Sequence, residues 1–242
     1  MVMTKNKFVK NSSRSKALVA TSAVIVAVSV GAGGYGVGVS TSDGLRDAPE
    51  NYVKSGQDYE KLSKTVSDLR VRKEDATGYS RERIGSDWRD LDGNGCDTRD
   101  DILKNNARKY ARFDGCEMIS GTIYDYYNGK ILRFNKDEQG GGIQIDHIVS
   151  LADAWASGGN NWSEDRWIEY YNDETVLIPT ASSTNISKGD KDITGWKPSN
   201  TSFICTYAIQ QIKIKEKYSL TVTTDEKAEF QRILTQECVK AN

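Results

Sequence analysis

Apolar residues recur every three to four positions in several segments, and this spacing predicts amphipathic helices. In DYEKLSKTVSDLRV, Leu62, Val66 and Leu69 fall on one helical face. Two helices are predicted near the C-terminus, in CTYAIQQIKIKEKYSL and in DEKAEFQRILTQEC, the second capped near Thr224. The same signals predict shorter helices at about residues 98–110 with Thr98 as the cap, in SEDRWIEYYND capped by Ser163, and in ASSTNISKGD stopped by Gly189.

Runs of β-branched and aromatic residues between turn signals predict strands. CEMISGTIYD and KILRF are joined by the turn YNG and predict a hairpin, whereas IQIDHIVSL predicts a third strand that leads into a short helix, LADAWASG. TVLIP predicts a fourth strand, and KEDATGYSRERIG is predicted to be a loop. Because helices and short strands are mixed in this way, the sequence predicts an α+β fold with a small antiparallel sheet and flanking helices.

The first forty residues differ from the rest of the chain. They contain five basic residues and no acidic one, and residues 17–39 carry no charged side chain. This pattern is typical of an export signal, with cleavage expected after Ala32, although the uncharged stretch is also long enough for a retained anchor. We expect residues 1–40 to be a signal peptide or membrane anchor, residues 41–56 a linker, and residues 57–242 the folded domain. The folded part is then secreted or lies on the outer face of the cytoplasmic membrane.

All four cysteines lie beyond this segment, and an even number in an exported chain predicts disulfides. Pairing neighbours along the chain gives Cys96–Cys116 and Cys205–Cys238. The spacings match no zinc module, since there is no C-x-x-C motif and only one histidine. Without its five N-terminal basic residues, the chain keeps 28 of its 33 basic residues against 34 acidic ones, a net charge of about −6. This balance argues against a general polyanion binder.

The single histidine, His147, lies in the apolar run GGIQIDHIVSLADAW. A histidine in such surroundings is ordinarily a buried, hydrogen-bonded core residue. Two observations favour a functional site instead. Asp146 directly precedes it at a predicted strand end, where both side chains can flank one small volume. Asn172 precedes the next strand, and Asn185 and Lys188 share one face of the following helix.

These residue types suit the cleavage of a phosphodiester with the help of a metal. A base must accept a proton near neutral pH, and histidine, with an ordinary pKa of about 6.5, suits that task. Activity should then rise with pH between 5 and 8, as His147 loses its proton. Mg²⁺ prefers oxygen ligands and keeps several waters, so Asp146 and Asn185 can hold it. Lys188 can neutralise the phosphate.

The segment QIDHIVSLADAW…NDETVLIPTASSTNISKGDKD resembles an HNH nuclease motif of the ββα-metal class, as found in RNA-guided CRISPR effectors. It is more similar to an exported bacterial HNH endonuclease family related to the C-terminal nuclease half of the GmrSD restriction enzyme. The likeness extends from about Tyr79 to the last cysteine. It implies an HNH nuclease domain over residues 57–242, in which His147 is the general base, Asp146 and Asn185 hold the metal, and Asn172 braces the loop.

One position departs from many HNH enzymes, which have a metal-binding histidine where this chain has Asn185. This change favours Mg²⁺ or Mn²⁺ over Zn²⁺ or Ni²⁺. The expected partner is a nucleic-acid substrate, with DNA favoured over RNA. Contact with a membrane is expected only if the N-terminal segment is retained, and no obligate protein partner is evident. Arg99 is a candidate phosphate contact, although a single arginine near a helix start is more often a surface residue.

A second metal site is suggested by DLDGNGCDTRDD, which has the spacing of a calcium loop. Its oxygen donors are Asp90, Asp92, Asn94 and Asp101, the last in the place where glutamate is usual. The competing interpretation, which we favour, is a tight turn pinned by Cys96. The alternative function is therefore an extracellular, calcium-stabilised binding module without catalysis.

Overall fold

The computed structural model describes residues 56–85, 87–138 and 142–238. These residues belong to one compact unit, Ser42–Asn242. The predicted signal or anchor segment lies outside the described residues, as does the predicted linker except for its last residue. Within the described ranges, no helix combines the length and the apolar character needed to cross a membrane.

Eight helices occur in the described ranges, and short 3₁₀ turns lie between some of them. Helix α1 confirms the first apolar repeat, because Leu62, Val66 and Leu69 are all buried. Ser163 caps α5, and Gly189 follows α6 with a positive φ of 54°, as the sequence predicts. The helices are α1 (Gly56–Asp68), α2 (Arg81–Ile84), α3 (Thr98–Asn106), α4 (Leu151–Ala156), α5 (Glu164–Tyr171), α6 (Ser182–Lys188), α7 (Ile204–Lys217) and α8 (Thr224–Gln236).

The strands form two antiparallel sheets. The first has the order β1-β2-β3, with β2 and β3 joined by the predicted hairpin turn. The second pairs β4 with β5, and α6 follows β5 directly. The strands are β1 (Arg112–Asp114), β2 (Glu117–Asp125), β3 (Lys130–Asn135), β4 (Ile143–His147) and β5 (Leu177–Ala181). Mixed helices and small antiparallel sheets confirm the α+β fold class.

Several local predictions were wrong, for identifiable reasons. Helix α3 ends at Asn106 because Ala107 forms a β-bridge with Ile123, and this pairing draws the chain out of the helix. The cap of α3 is Asp97 rather than Thr98, since the Asp97 side chain accepts a hydrogen bond from the backbone of Asp100. The predicted loop before residue 85 contains the short helix α2. The predicted cap near Thr224 is confirmed, because Thr223 caps α8 in a capping box completed by Glu226.

The main core lies among the helices. Helix α1 packs on α7 and α8, and α7 also packs on α8. The fully buried side chains at these contacts include Val66, Tyr207, Ile212 and Phe230. A smaller cluster, which contains Leu103 of α3 together with residues of β2 and β4, fills the space under the three-stranded sheet. The β4–β5 sheet thus has apolar layers around it that hold its side chains in place.

The structure pairs Cys96 with Cys116 and Cys205 with Cys238, the two pairs that the chain order predicts. The second pair joins the start of α7 to the residue just beyond α8. A buried ionic cluster ties α7 to two other elements: the Lys215 ammonium lies 2.8 Å from the carboxylates of both Asp153 and Glu226. The two disulfides fit an extracellular protein.

Candidate active site

Asp146 and His147 are the last two residues of β4. They lie opposite Ile178 and Leu177 of β5. Both side chains are buried, at 6% and 5% exposure. Neighbours on a strand point to opposite faces, but β4 ends at His147, so the two side chains line the same cleft from different directions. This is the arrangement that the sequence predicts for a strand end.

The His147 ring is held in one orientation and one tautomer. Its Nε2 lies 3.0 Å from the backbone carbonyl oxygen of Tyr171, which can only accept a hydrogen bond. Nε2 therefore carries the proton, and Nδ1 keeps the lone pair. The ring of Trp88 stacks on the imidazole at 6.1 Å, and the Tyr171 ring lies at 4.9 Å. The contacts of His147 thus leave Nδ1 as the basic nitrogen.

Burial, helped by the nearby positive charges of Arg81 and Lys188, lowers the pKa of His147 from 6.5 to about 3. The hydrogen bond to Tyr171 opposes the shift without cancelling it. His147 is therefore neutral throughout pH 5 to 8. Because the imidazole is removed from water, its deprotonation does not provide a reason for activity to rise between pH 5 and 8.

Asp146 is held through both of its carboxylate oxygens. Lys188 Nζ donates to Oδ1 at 3.1 Å, and the Tyr127 hydroxyl donates to Oδ2 at 2.8 Å. Burial raises the pKa of Asp146, and Lys188 and Tyr127 oppose this shift. Each oxygen keeps a second lone pair, so the carboxylate can still bind a cation from the cleft side.

Lys188 has a different role from the predicted one. Its side chain is completely buried, and besides Asp146 its ammonium group donates to the backbone carbonyl of His147 at 2.9 Å. In the structure Lys188 is instead the counter-ion of the buried Asp146 carboxylate, and its predicted contact with a phosphate stays a prediction.

Asn172 lies at the end of α5 and connects this helix to the segment before α3. Its Oδ1 accepts from the backbone N–H of Arg89 at 2.9 Å. Its Nδ2 donates to the carbonyls of Ile168 at 3.1 Å and Asp87 at 3.4 Å. These bonds fix the backbone next to Tyr171, whose carbonyl holds His147. Asn172 does not itself line the cleft of Asp146 and His147.

Asn185 reaches the cleft from α6. Its Nδ2 donates to Oε1 of Gln144 at 2.9 Å, which turns its own Oδ1 into the available ligand atom. Gln144 lies two residues before Asp146 on β4, so the two share a strand face. The start of α6 is fixed by the buried carboxylate of Asp125, which accepts from the Thr180 hydroxyl and the Ala181 backbone, each at 2.9 Å.

Asp146, His147 and Asn185 line one cleft of about 210 Å³. Its donors toward a metal are a carboxylate and an amide oxygen, both hard ligands, and the volume leaves room for several waters. This donor set fits Mg²⁺ or Mn²⁺. A larger cleft of about 310 Å³ lies against Tyr171 and Asn172 but is lined by none of these three residues. The predicted site residues Asp146, His147 and Asn185 thus meet in the smaller cleft.

Sequence reasoning missed the residues that hold the site together, namely Trp88, Tyr127 and Tyr171, because each acts from a distant part of the chain. Gln144 could have been predicted from the sequence, because residues two positions apart on a strand lie on the same face and Gln144 precedes Asp146 by two. Arg81 also lines the cleft and was assigned to a loop. Trp88, Tyr127, Tyr171 and Arg81 were missed for one reason: they contact the site from segments that are distant from it in the sequence.

The two weaker candidates lie elsewhere. Arg99 is in the first turn of α3 and does not line the cleft. In the proposed calcium loop, the Asp90 carboxylate accepts from the backbone N–H groups of Gly93, Asn94 and Gly95. The Asn94 amide donates to both oxygens of Asp101 at 3.1 Å. The loop is thus hydrogen-bonded as a tight turn, and calcium binding by Asp90, Asp92, Asn94 and Asp101 stays a prediction.

The fold and the site together define an α+β domain with two disulfides and a histidine–carboxylate–amide cleft. More specifically, the chain belongs to the family of the C-terminal domain of GmrSD restriction endonucleases, whose profile matches residues 97–233. This family membership points to a nuclease, that is, a hydrolase of phosphodiesters.

A relative in the fungus Arthroderma benhamiae, described as an uncharacterized secreted protein, is 32% identical over 159 residues. The alignment covers 65% of this chain and 74% of the relative. No solved structure matches the chain. Because this relative is fungal, the bacterial origin that the resemblance implies stays a prediction.

Proposed function

We propose that this protein is an extracellular, metal-dependent endonuclease of the HNH type that hydrolyses phosphodiester bonds of nucleic acid, with DNA as the substrate. The observation that carries the proposal is the convergence of Asp146, His147 and Asn185 on one cleft. They come from a strand and a helix of a β4–β5–α6 unit, which we interpret as the ββα-metal core. The family match and the secreted relative support the proposal.

His147 is the general base in this mechanism. The bond from Nε2 to the Tyr171 carbonyl aims Nδ1 for proton transfer, so that Nδ1 accepts the proton of the attacking water. A pKa lowered to about 3 makes the imidazole a weak base, but it also ensures that the base is neutral at every physiological pH. As the proton arrives, the Tyr171 carbonyl stabilises the positive charge on the ring.

Asp146 and Asn185 hold the divalent ion in this proposal. The ion supplies positive charge to the phosphate and to the oxygen that leaves. Lys188 and Tyr127 position the Asp146 carboxylate, and Gln144 positions the Asn185 amide. Asn172 fixes the backbone beside Tyr171 and so keeps the base in place. Each residue of the motif then has a task that its contacts allow.

The test is plasmid nicking by the purified protein with Mg²⁺, with Mn²⁺ and with EDTA. His147→Gln is the informative variant, because the glutamine amide can still donate to the Tyr171 carbonyl but offers no basic nitrogen. We expect nicking that requires the metal and falls by at least about a hundredfold in this variant. Nicking that persists in EDTA would exclude the metal. Nicking that survives His147→Gln would exclude His147 as the base.

A further inference from the structure

We propose that Arg81 is the residue that binds the substrate phosphate in the cleft of Asp146 and His147. This inference rests on the proposed function. The three proposed catalytic residues bring no exposed positive charge to the cleft. Asp146 is a carboxylate, Asn185 and His147 are neutral, and the ammonium group of Lys188 is buried and paired with Asp146. A phosphodiester needs a positive charge on its non-bridging oxygens that the protein itself can supply.

Among the described residues that line this cleft, Arg81 is the only one with a cationic side chain. It is exposed, so its guanidinium is available to a ligand. The acidic residues of the cleft are Asp146, which is paired with Lys188, and the exposed Asp190. A nucleic-acid backbone entering the cleft therefore meets one protein cation, and that cation is Arg81.

The guanidinium is held beside the catalytic histidine. Its Nη2 donates to the Tyr171 hydroxyl at 3.3 Å, and its Cζ lies 5.6 Å from the centre of the Tyr171 ring. The backbone carbonyl of the same tyrosine holds His147. Tyr171 thus sets the position of the proposed base through its backbone and that of the cation through its side chain, which fixes one relative to the other.

Only part of the guanidinium is used by these contacts. Arginine carries five N–H donors in a planar fork, and the bond to Tyr171 occupies one edge. The remaining donors match the two non-bridging oxygens of a phosphodiester. Packing on an aromatic ring reduces the motion of a long side chain, so less entropy is lost when the phosphate binds.

Arg81 lies outside residues 97–233, the part of the chain that the family profile matches. It belongs to an arm, residues 79–85 and 87–89, that packs along the site. Within this arm, Trp88 stacks on His147 and the backbone N–H of Arg89 bonds to Asn172. The arm therefore completes the cleft, and Arg81 is its contribution to substrate binding.

The chain offers a matched control in Arg83, two residues further along α2. This side chain is also exposed, but its guanidinium lies 5.2 Å over the Trp155 ring and donates to the carbonyl of Gly78 at 3.1 Å. It does not line the cleft. Arg81→Gln and Arg83→Gln remove the same charge from the same short helix, so only a contact within the cleft distinguishes them.

The experiment measures cleavage of a short labelled DNA duplex in Mg²⁺ by the wild type and both variants, with thermal unfolding as a check on folding. We expect Arg81→Gln to lower kcat/KM about ten- to a hundredfold, the loss of one charge-assisted contact, with an unchanged Tm. Arg83→Gln should stay within about twofold of the wild type. Arg81→Lys should recover part of the loss, because it restores the charge without the fork.

A second readout separates this inference from the proposed nuclease activity. Binding of the same duplex in EDTA is measured at several salt concentrations, without any cleavage. Arg81→Gln should weaken binding and reduce the slope of log affinity against log salt by about one, the amount for one phosphate contact. If the wild type binds in this way but never cleaves, the phosphate site stands and the nuclease proposal fails.

Two results would overturn the proposal. One is an Arg81→Gln variant that cleaves and binds like the wild type while His147→Gln is inactive, which leaves the nuclease intact without this contact. The other is an equal loss in Arg81→Gln and Arg83→Gln, which shows a general effect of net charge rather than a site.

Discussion

At the residue scale, the state of His147 is set by one residue that is distant in sequence and by the burial of the ring. The Tyr171 carbonyl decides which nitrogen carries the proton, and burial decides that the ring is neutral. Asp146 is also buried, but Lys188 and Tyr127 donate hydrogen bonds to its carboxylate and favour its charged form. The proposed base and the proposed metal ligand, although adjacent in sequence, thus differ because of their surroundings.

The lowered pKa of His147 predicts how the stability of the protein depends on pH. In the unfolded chain, His147 becomes protonated below pH 6.5. In the folded protein it stays neutral until the pH falls to about 3. The contribution of His147 is therefore complete above pH 6.5 and is lost as the pH falls toward 3. Between pH 7 and 4.5, the unfolding free energy of the wild type should fall by about 2 kcal/mol more than that of His147→Gln.

The unfolding free energies are measured by urea unfolding at each pH. Because both proteins contain Asp146 and all other carboxyl groups, the titration of these groups cancels in the difference. Parallel pH curves for the two proteins would show that the ring is protonated in the folded state, and would contradict the buried, neutral imidazole.

At the element scale, the β4–β5–α6 unit works because its three pieces are fixed to one another by buried polar bonds. Lys188 of α6 binds Asp146 and the His147 carbonyl of β4, and the Asp125 carboxylate of β2 fixes the junction between β5 and α6. Moving the helix away from the strand would therefore break the buried ion pair between Lys188 and Asp146. Asn185 reaches the cleft because of these bonds.

Replacing Lys188 by methionine tests this account. The change leaves the Asp146 carboxylate buried without its counter-ion, so we expect a loss of about 3–5 kcal/mol in unfolding free energy. Lys191→Met is the control, because Lys191 is exposed and bonds only backbone carbonyls at the end of α6. Denaturant unfolding of both variants gives the comparison. A Lys188→Met variant as stable as Lys191→Met would show that the pair does not hold α6 in place.

The sequence predicts elements well where one pattern decides them alone. The apolar repeat of α1, the Ser163 cap of α5 and the Gly189 stop of α6 are confirmed, since each depends on residues within a few positions. Helix α3 was predicted too long, because the bridge between Ala107 and Ile123 involves a strand that lies later in the chain. The burial of Lys188 was missed for the same reason: a helical face can be assigned from spacing, but what it packs against cannot.

At the scale of the whole molecule, a disulfide and an ion pair join the two C-terminal helices to each other, and a second ion pair joins α7 to α4. The Cys205–Cys238 disulfide closes a loop of 33 residues across α7 and α8. Lys215 of α7 binds Asp153, which follows β4 and lies in α4, as well as Glu226 of α8. Gln211 of α7 also donates to the Ile148 carbonyl, one residue after His147. The two C-terminal helices therefore support the strand that ends at the site.

Removing the Cys205–Cys238 disulfide should be costly because of the length of this loop. The double change Cys205→Ser and Cys238→Ser frees the unfolded chain, and we expect a loss of about 3–4 kcal/mol in unfolding free energy. Thermal and denaturant unfolding of the oxidised proteins provide the measurement. Equal stability of the variant and the wild type would contradict a supporting role for this link, and mass spectrometry of unreduced peptides independently checks both pairs.

A double-variant experiment tests whether His147 and Asn185 act as parts of one catalytic centre. Cleavage of a labelled duplex in Mg²⁺ is measured for the wild type, His147→Gln, Asn185→Ala and the double variant. We expect either single change to remove nearly all activity and the second change to remove little more, as for residues that act as a unit. Losses that multiply in the double variant, or full activity in either single variant, would show that the strand and the helix do not share one catalytic centre.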